Sequence, residues 1–216
     1  MSIIELNNVS KSFKGHQVLD SVSLSLREGK IYGFVGRNGS GKSVLFKLIC
    51  GLILPTSGTI SVNGKLLKKG EFAEGIGILL DDTGFLPRMS AFDNLKSIAV
   101  INNIISDDRI KECIQIVGLE PESKQHVGKF SLGMKQRLGI AQAIMENPKI
   151  LLLDEPMNGL DENGVTEIRQ LLKDFVKAND ATILLASHNK DDISELCDVV
   201  YSIKDGKVEM INSIDF

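Results

Sequence analysis

Gly36-Arg37-Asn38-Gly39-Ser40-Gly41-Lys42-Ser43 spells G-x-x-x-x-G-K-S, a phosphate-binding loop, and its two flanks decide the fold. The apolar run Ile31 to Val35 before it reads as a buried strand, and Val44-Leu45-Phe46-Lys47-Leu48-Ile49 after it as the first turns of a helix. Glycines let the backbone turn tightly enough for several N–H groups to converge on one anion, at a helix N-terminus that already carries partial positive charge. Residues Gly36, Arg37, Asn38, Gly39, Ser40 and Gly41 would wrap the phosphates of a nucleotide. Lys42 would set a full charge against the β and γ phosphates, and the Ser43 hydroxyl would be a ligand for Mg²⁺. The competing reading is a glycine-rich turn with a solvated lysine. Background frequencies give roughly a 1% chance of an accidental match in a chain of this length, before the strand and helix are required.

A second stretch supplies what such a loop needs. Four apolar residues, Ile150-Leu151-Leu152-Leu153, run directly into Asp154-Glu155. Alone, this would be an acidic turn before Pro156. Beside a phosphate loop, it is a buried strand ending in two carboxylates: Asp154 to hold Mg²⁺ through its water shell, Glu155 to polarise a water for attack on the γ-phosphate. His188 follows the strand Thr182 to Ala186 and Ser187, at the sheet edge where parallel strands deliver residues to a ligand. A hydrogen bond from His188 to the γ-phosphate would distinguish ATP from ADP.

Outward from these elements the chain divides by period. Ile3 to Val9 and Val18 to Leu26 are strands, the second with Val18, Val22, Leu24 and Leu26 on one face, and Phe13-Lys14-Gly15 turns between them. Asn63-Gly64 next to Thr59 to Val62 marks a hairpin, and Ile76 to Leu80 a further buried strand. From Ser90, an N-cap with Asp93 three residues on, the pattern is helical to about Val117, and Ser131 opens another helix that stops before Pro148. Strands and helices alternate again to Ile211, which implies a mostly parallel sheet with helices on both faces. The expected organisation is one domain: residues 1–81 and 147–216 form an α/β core with a β portion, and residues 82–146 an inserted helical subdomain.

Composition narrows the function classes. The 216 residues are 43% hydrophobic and 25% charged with a formal net charge of −3, so nothing draws the chain generally to nucleic acid or an acidic membrane. Cys50, Cys113 and Cys197 lack a C-x-x-C pair and read as buried thiols of a reduced cytosolic protein. The N-terminal stretch is no signal peptide, and the most apolar run, Leu48 to Leu54, is too short to span a bilayer. Work at a membrane would require another chain to hold it there.

Phe130-Ser131-Leu132-Gly133-Met134-Lys135-Gln136-Arg137 resembles the signature motif of the ATP-binding subunits of ABC transporters, usually L-S-G-G-Q followed by K/R-Q-R. Ser131 and Gly133 match; Phe130, Leu132 and Met134 depart from the commonest form. The phosphate loop, the signature, Asp154-Glu155, Asp161 in Met157-Asn158-Gly159-Leu160-Asp161, and His188 occur in that family's order, and the likeness covers essentially the full chain. It implies an α/β P-loop NTPase core with a mostly parallel sheet, an N-terminal antiparallel β portion and an inserted helical subdomain. It also implies a head-to-tail dimer in which Ser131 and Gly133 of one subunit close over the γ-phosphate held by the other. By the same likeness Phe13 stacks on adenine with Val18 nearby, and Asp161 helps couple the two sites. Asp81 stands where most members have Gln; it could bind Mg²⁺ but adds negative charge near the ligand. Phe85-Leu86-Pro87-Arg88 falls where the family receives its membrane subunit, although packing on the helical subdomain explains these residues equally well.

The expected function is an ATPase, with ATP and Mg²⁺, that drives a separate integral membrane permease, most like the bacitracin and lantibiotic export or self-protection type. The chain would pair with itself or a related ATPase subunit, sit on the cytoplasmic face of the membrane and bind no nucleic acid. A soluble ATPase of the same fold acting in translation or DNA maintenance usually carries two cassettes or a coiled-coil insertion, and this chain has one cassette and no heptad run.

Overall fold

Two-residue turns with both residues at positive φ, the geometry that matches strand twist, shape the edges of the fold. In the structure, a computed structural model that describes residues 2–80 and 84–211, Lys14-Gly15 (φ 47 and 85) joins β1 (Ser2–Phe13) to β2 (His16–Arg27). β3 (Ile31–Val35) feeds the phosphate loop and α1 (Lys42–Ile49). Asn63-Gly64 (φ 52 and 73) joins β4 (Ser57–Val62) to β5 (Lys65–Leu66), and β6 (Ile76–Leu79) follows. β1, β2, β4 and β5 form a four-stranded antiparallel sheet in the order β2-β1-β4-β5.

Three helices come next: α2 (Ala91–Asn102), α3 (Asp107–Ile116) and α4 (Leu132–Ile144), with no strand between them among the described residues. The sequence pattern suggested one helical stretch from Ser90 to Val117. The chain instead leaves α2 through Asn103 in the left-handed region (φ 53) and restarts α3 on a Ser106 cap whose side chain accepts from the Arg109 amide. Ser90 caps α2 as expected, accepting from the Asp93 amide at 3.1 Å.

Alternation then resumes through β7 (Ile150–Asp154), α5 (Glu162–Asn179), β8 (Thr182–Ala186), α6 (Lys190–Leu196), β9 (Val199–Lys204) and β10 (Lys207–Ile211). The second sheet runs β10-β9-β3-β8-β7-β6, parallel except for the β9–β10 hairpin. Its central strands are apolar on both faces because both faces are covered. Ile31, Val35, Leu151, Leu153, Ile183 and Leu185 face the core shared with α2 to α6. Tyr32, Phe34, Ile150, Leu152, Leu184 and Ala186 face the core shared with α1 and the antiparallel sheet. This sandwiching fixes the C-terminal ends of β3, β7 and β8 side by side, which is where the chemistry collects.

One strand differs from its expected phase. Leu19, not Val18, is buried with Val22, Leu24 and Leu26, because Ser21 (φ 51) sits where the β1–β2 register shifts and flips the side-chain parity. Val18 is thereby freed to line the cavity above the phosphate loop. Among the described residues, no helix is long and apolar enough to cross a membrane.

Candidate active site

Glycine is required at two points of the phosphate loop. A Cβ on Gly36 would lie 2.5 Å from the Ile203 carbonyl oxygen, and Gly41, the residue before α1, has φ 111. Lys42 is buried, and its Nζ donates to the Gly36 carbonyl at 2.8 Å, arching over the loop. No acidic residue stands in the first turn of α1, so the positive end of its dipole faces the loop uncompensated. Two cavities of about 570 and 870 Å³ adjoin here, sharing His16, Val18, Asn38, Gly39, Ser40 and His188. Each is within the size range of small-ligand sites. Gly36 and Arg37 line the larger one, Gly41, Lys42 and Ser43 the smaller one.

β7 carries Asp154 to the floor of this site, where it is 4% exposed and accepts a short hydrogen bond from Ser43 Oγ. Glu155 follows in the left-handed region (φ 49). Its Oε2 lies 2.8 Å from His188 Nδ1, which β8 delivers from the neighbouring strand. The turn that presents His188 is itself anchored. Ser187 Oγ donates to the buried Asp192 at 3.0 Å and accepts from the Asn189 amide at 3.1 Å, and Arg169 donates to the same carboxylate at 2.7 Å.

Among the described residues no group of three or more His, Cys, Asp or Glu forms a metal cage. Ser43 and Asp154 nevertheless suit Mg²⁺, a cation held by one or two protein oxygens while phosphates and water complete the shell. Asp81 lies outside the described residues.

Phe13 is 44% exposed at the mouth of the smaller cavity. Lys11 Nζ sits 4.8 Å over its ring and donates to the Leu54 carbonyl at 2.7 Å, which pins the aromatic from behind. Ser131 caps α4, its Oγ accepting from the Met134 amide at 3.1 Å, and Leu132 beside it is 65% exposed. Ser131 and Gly133 do not line either cavity. The structure therefore brings together Phe13, Val18, Gly36 to Ser43, Asp154, Glu155 and His188, and leaves Ser131 and Gly133 off both cavity walls of the same chain.

Sequence reasoning missed His16, which lines both cavities; the Ser187–Asp192–Arg169 anchor; and Gln136, which donates to the Glu155 carbonyl at 2.9 Å. Position directly after the Lys14-Gly15 turn could have flagged His16. The other contacts join distant segments and leave no local signal.

A phosphate loop at the start of α1, a Ser–Asp pair beneath it and a Glu–His pair at the adjoining strand ends define a nucleotide-hydrolysing protein of the P-loop class. Residues 19–158 match the ABC transporter family. The chain is 45% identical over 208 residues to the uncharacterized ABC transporter ATP-binding protein YybJ of Bacillus subtilis, covering 96% of this chain and 95% of that one. It is 41% identical over 209 residues to the bacitracin transport ATP-binding protein BcrA of Bacillus licheniformis, covering 96% of this chain and 68% of that protein. The lantibiotic transport ATP-binding protein SrtF of Streptococcus pyogenes is 35% identical over 213 residues, covering 99% and 92%. Among solved structures, the dimeric post-hydrolysis state of the ATP-binding cassette MJ0796 bound to ADP and Pi superposes with TM-score 0.88 at 25% identity, covering 99% of this chain and all of that one. This protein belongs to the ABC transporter family, as an ATP-binding subunit whose ATP hydrolysis powers membrane transport.

Proposed function

We propose that ATP closes two such subunits head to tail, that each site is finished by the partner's Ser131 and Gly133, and that hydrolysis reopens the pair. The observation that carries this is the division of the site. The described residues that would hold a nucleotide's base, phosphates and cation line two adjoining cavities, while α4 presents a capped, exposed N-terminus whose Ser131 and Gly133 line neither. An isolated helix N-terminus of that kind is an anion site waiting for a ligand from outside. The dimeric post-hydrolysis structure of MJ0796 with ADP and Pi supports the same arrangement.

Each residue then has one task. Phe13 stacks on adenine and Val18 flanks it. The amides of Gly36 to Ser43 and the Lys42 ammonium hold the β and γ phosphates and offset charge as it develops on them. Ser43 and Asp154 would hold Mg²⁺, with Asp81 as a further oxygen donor, and the cation would supply neutralisation of phosphate charge when bound. Glu155 accepts a hydrogen bond from the attacking water and orients it in line with the γ-phosphorus. His188, kept in place by Glu155 and the Ser187–Asp192 anchor, turns its other ring nitrogen toward the γ-phosphate. Asp161, the cap of α5 that accepts from the Gly164 amide at 2.9 Å, lies in the loop between Glu155 and the partner.

The permease docks on the loop after β6 and the neighbouring helices, which form the inserted subdomain of residues 82–146. Asn94, buried, holds that loop by accepting from the Leu86 amide at 2.7 Å and donating to its carbonyl at 3.1 Å. Phe85 packs inward on the core while Leu86 is 52% exposed, so Leu86 is the contact offered outward. The subunit is held at the cytoplasmic face of the membrane by this docking. The relatives named for bacitracin and lantibiotic transport support export of a peptide, drug or similar compound. The test is Glu155→Gln: the variant should accumulate as an ATP-bound dimer with little turnover, seen by size exclusion with ATP and Mg²⁺. Hydrolysis at the unmodified rate would remove Glu155 from its role.

A further inference from the structure

The geometry points to Gln136 as the residue that positions Glu155, an inference that rests on the role of Glu155 given above. Gln136 stands on the second turn of α4, and its Nε2 donates to the Glu155 carbonyl at 2.9 Å. The Asn158 amide shares that acceptor at 3.1 Å. On the other side of the residue, the Glu155 amide donates to the Ala186 carbonyl at 2.8 Å. The two peptide planes that flank Glu155 are thus held from different elements, one by β8 and one by α4. Glu155 needs such holding, because φ 49 is a conformation that a residue with a Cβ adopts only when its surroundings impose it. With both planes fixed, the carboxylate is delivered to His188 Nδ1 at 2.8 Å with little freedom to turn away.

The same helix is seated on the same loop at a second point. A Cβ on Gly133 would lie 2.6 Å from the Gly159 carbonyl oxygen, and a Cβ on Gly159 would lie 2.6 Å from Leu132 Cγ. Neither position has room for a methyl group. The turn of α4 that bears Ser131 and the loop from Glu155 to Asp161 therefore move as one body. An anion bound at the N-terminus of α4 is registered, through Gln136, at the Glu155 of the same chain. In a head-to-tail pair the γ-phosphate of one site thereby sets the water-orienting carboxylate of the other. Gln136 is a positioning residue: it touches neither nucleotide nor water, and acts through the backbone of Glu155.

Gln136→Met keeps the length of the side chain and removes the donor. In the full chain this variant should lower kcat for ATP roughly tenfold, the factor one hydrogen bond carries in a barrier, and leave KM and Tm unchanged. In the Glu155→Gln background, where the positioned group is already gone, adding Gln136→Met should not change the single-turnover rate further. An unchanged kcat for Gln136→Met, an equal loss in both backgrounds, or a fall in kcat matched by a fall in Tm overturns the proposal. A Glu155→Gln chain that turns over ATP at the full rate overturns instead the reading of Glu155 beneath it.

Discussion

Two helix N-termini carry the anion contacts of the proposed mechanism, and they are finished to different degrees. At α1 the chain supplies everything: left-handed Gly41, the buried Lys42 over the loop, Ser43 on Asp154, and a cavity of about 570 Å³ walled by β1, β2 and β7. At α4 it supplies a Ser131 cap and an exposed Leu132, and neither Ser131 nor Gly133 lines either cavity. The first can bind phosphate alone. The second has the dipole without the concavity, so on the proposal above its ligand arrives already held by something else. On the proposal above, this difference in completeness is why one chain supplies half of each site.

The largest expected effect breaks the complete site. Lys42→Ala removes its full charge and should lower hydrolysis by about a hundredfold or more, with ATP affinity falling too, measured by phosphate release and equilibrium binding. Next comes the incomplete site. Leu132→Asp places a negative charge where a partner's phosphate would approach, and should lower hydrolysis roughly ten- to hundredfold while ATP binding to the single chain stays within about twofold. Equal loss of binding in the two variants would erase the distinction between the sites. A smaller effect sharpens the description of the first: Phe13→Ala should raise the Kd for ATP about five- to tenfold through lost stacking, and Lys11→Ala about twofold through a less fixed ring.

The smallest effect concerns the scaffold behind each site. Burial pushes the Cys197 thiol up to about 12 and the Cys113 thiol up to about 11. Cys197 lies against Gly33 of β3, behind the phosphate loop, and Cys113 lies in α3, packed in the core shared with α4. At pH 8 both thiolate populations are small, about one in a thousand or less, so thiol reagents should label the native chain far more slowly than the unfolded one. Because these pKa values are raised by folding, their contribution to stability is full below the ordinary thiol value of 9.0 and is lost as pH rises toward 11 and 12. Labelling of one thiol before the other under mild denaturant would tell which region opens first.

The fold and the complete site were legible in sequence for a shared reason: their signals are local. A glycine-rich loop between an apolar strand and a helix, four apolar residues ending in Asp154-Glu155, and Ser131 or Ser90 ahead of a helix each encode backbone conformation over a few residues. Val18 was misassigned because the Ser21 bulge, a single residue at positive φ, reverses parity without altering composition. The break between α2 and α3 was missed because Asn102-Asn103 sits in an otherwise apolar periodic run. The contacts of Gln136 and Asp192 were invisible because their partners, Glu155 and Ser187 with Arg169, come from other elements and meet them only after the sheet has formed. The incomplete site was legible only through its family resemblance, since one chain holds no second half against which to read it.

The central claim is that one active site takes residues from two chains. The most direct measurement mixes Lys42→Ala chains with Leu132→Asp chains, each nearly inactive alone, and follows ATP hydrolysis. Random pairing would place one intact site in each mixed dimer, so hydrolysis should rise well above that of either variant alone, to at most about a quarter of the unmodified rate. A mixture that hydrolyses no faster than the average of its two inactive components would mean that each site is made within a single chain, and would contradict the account.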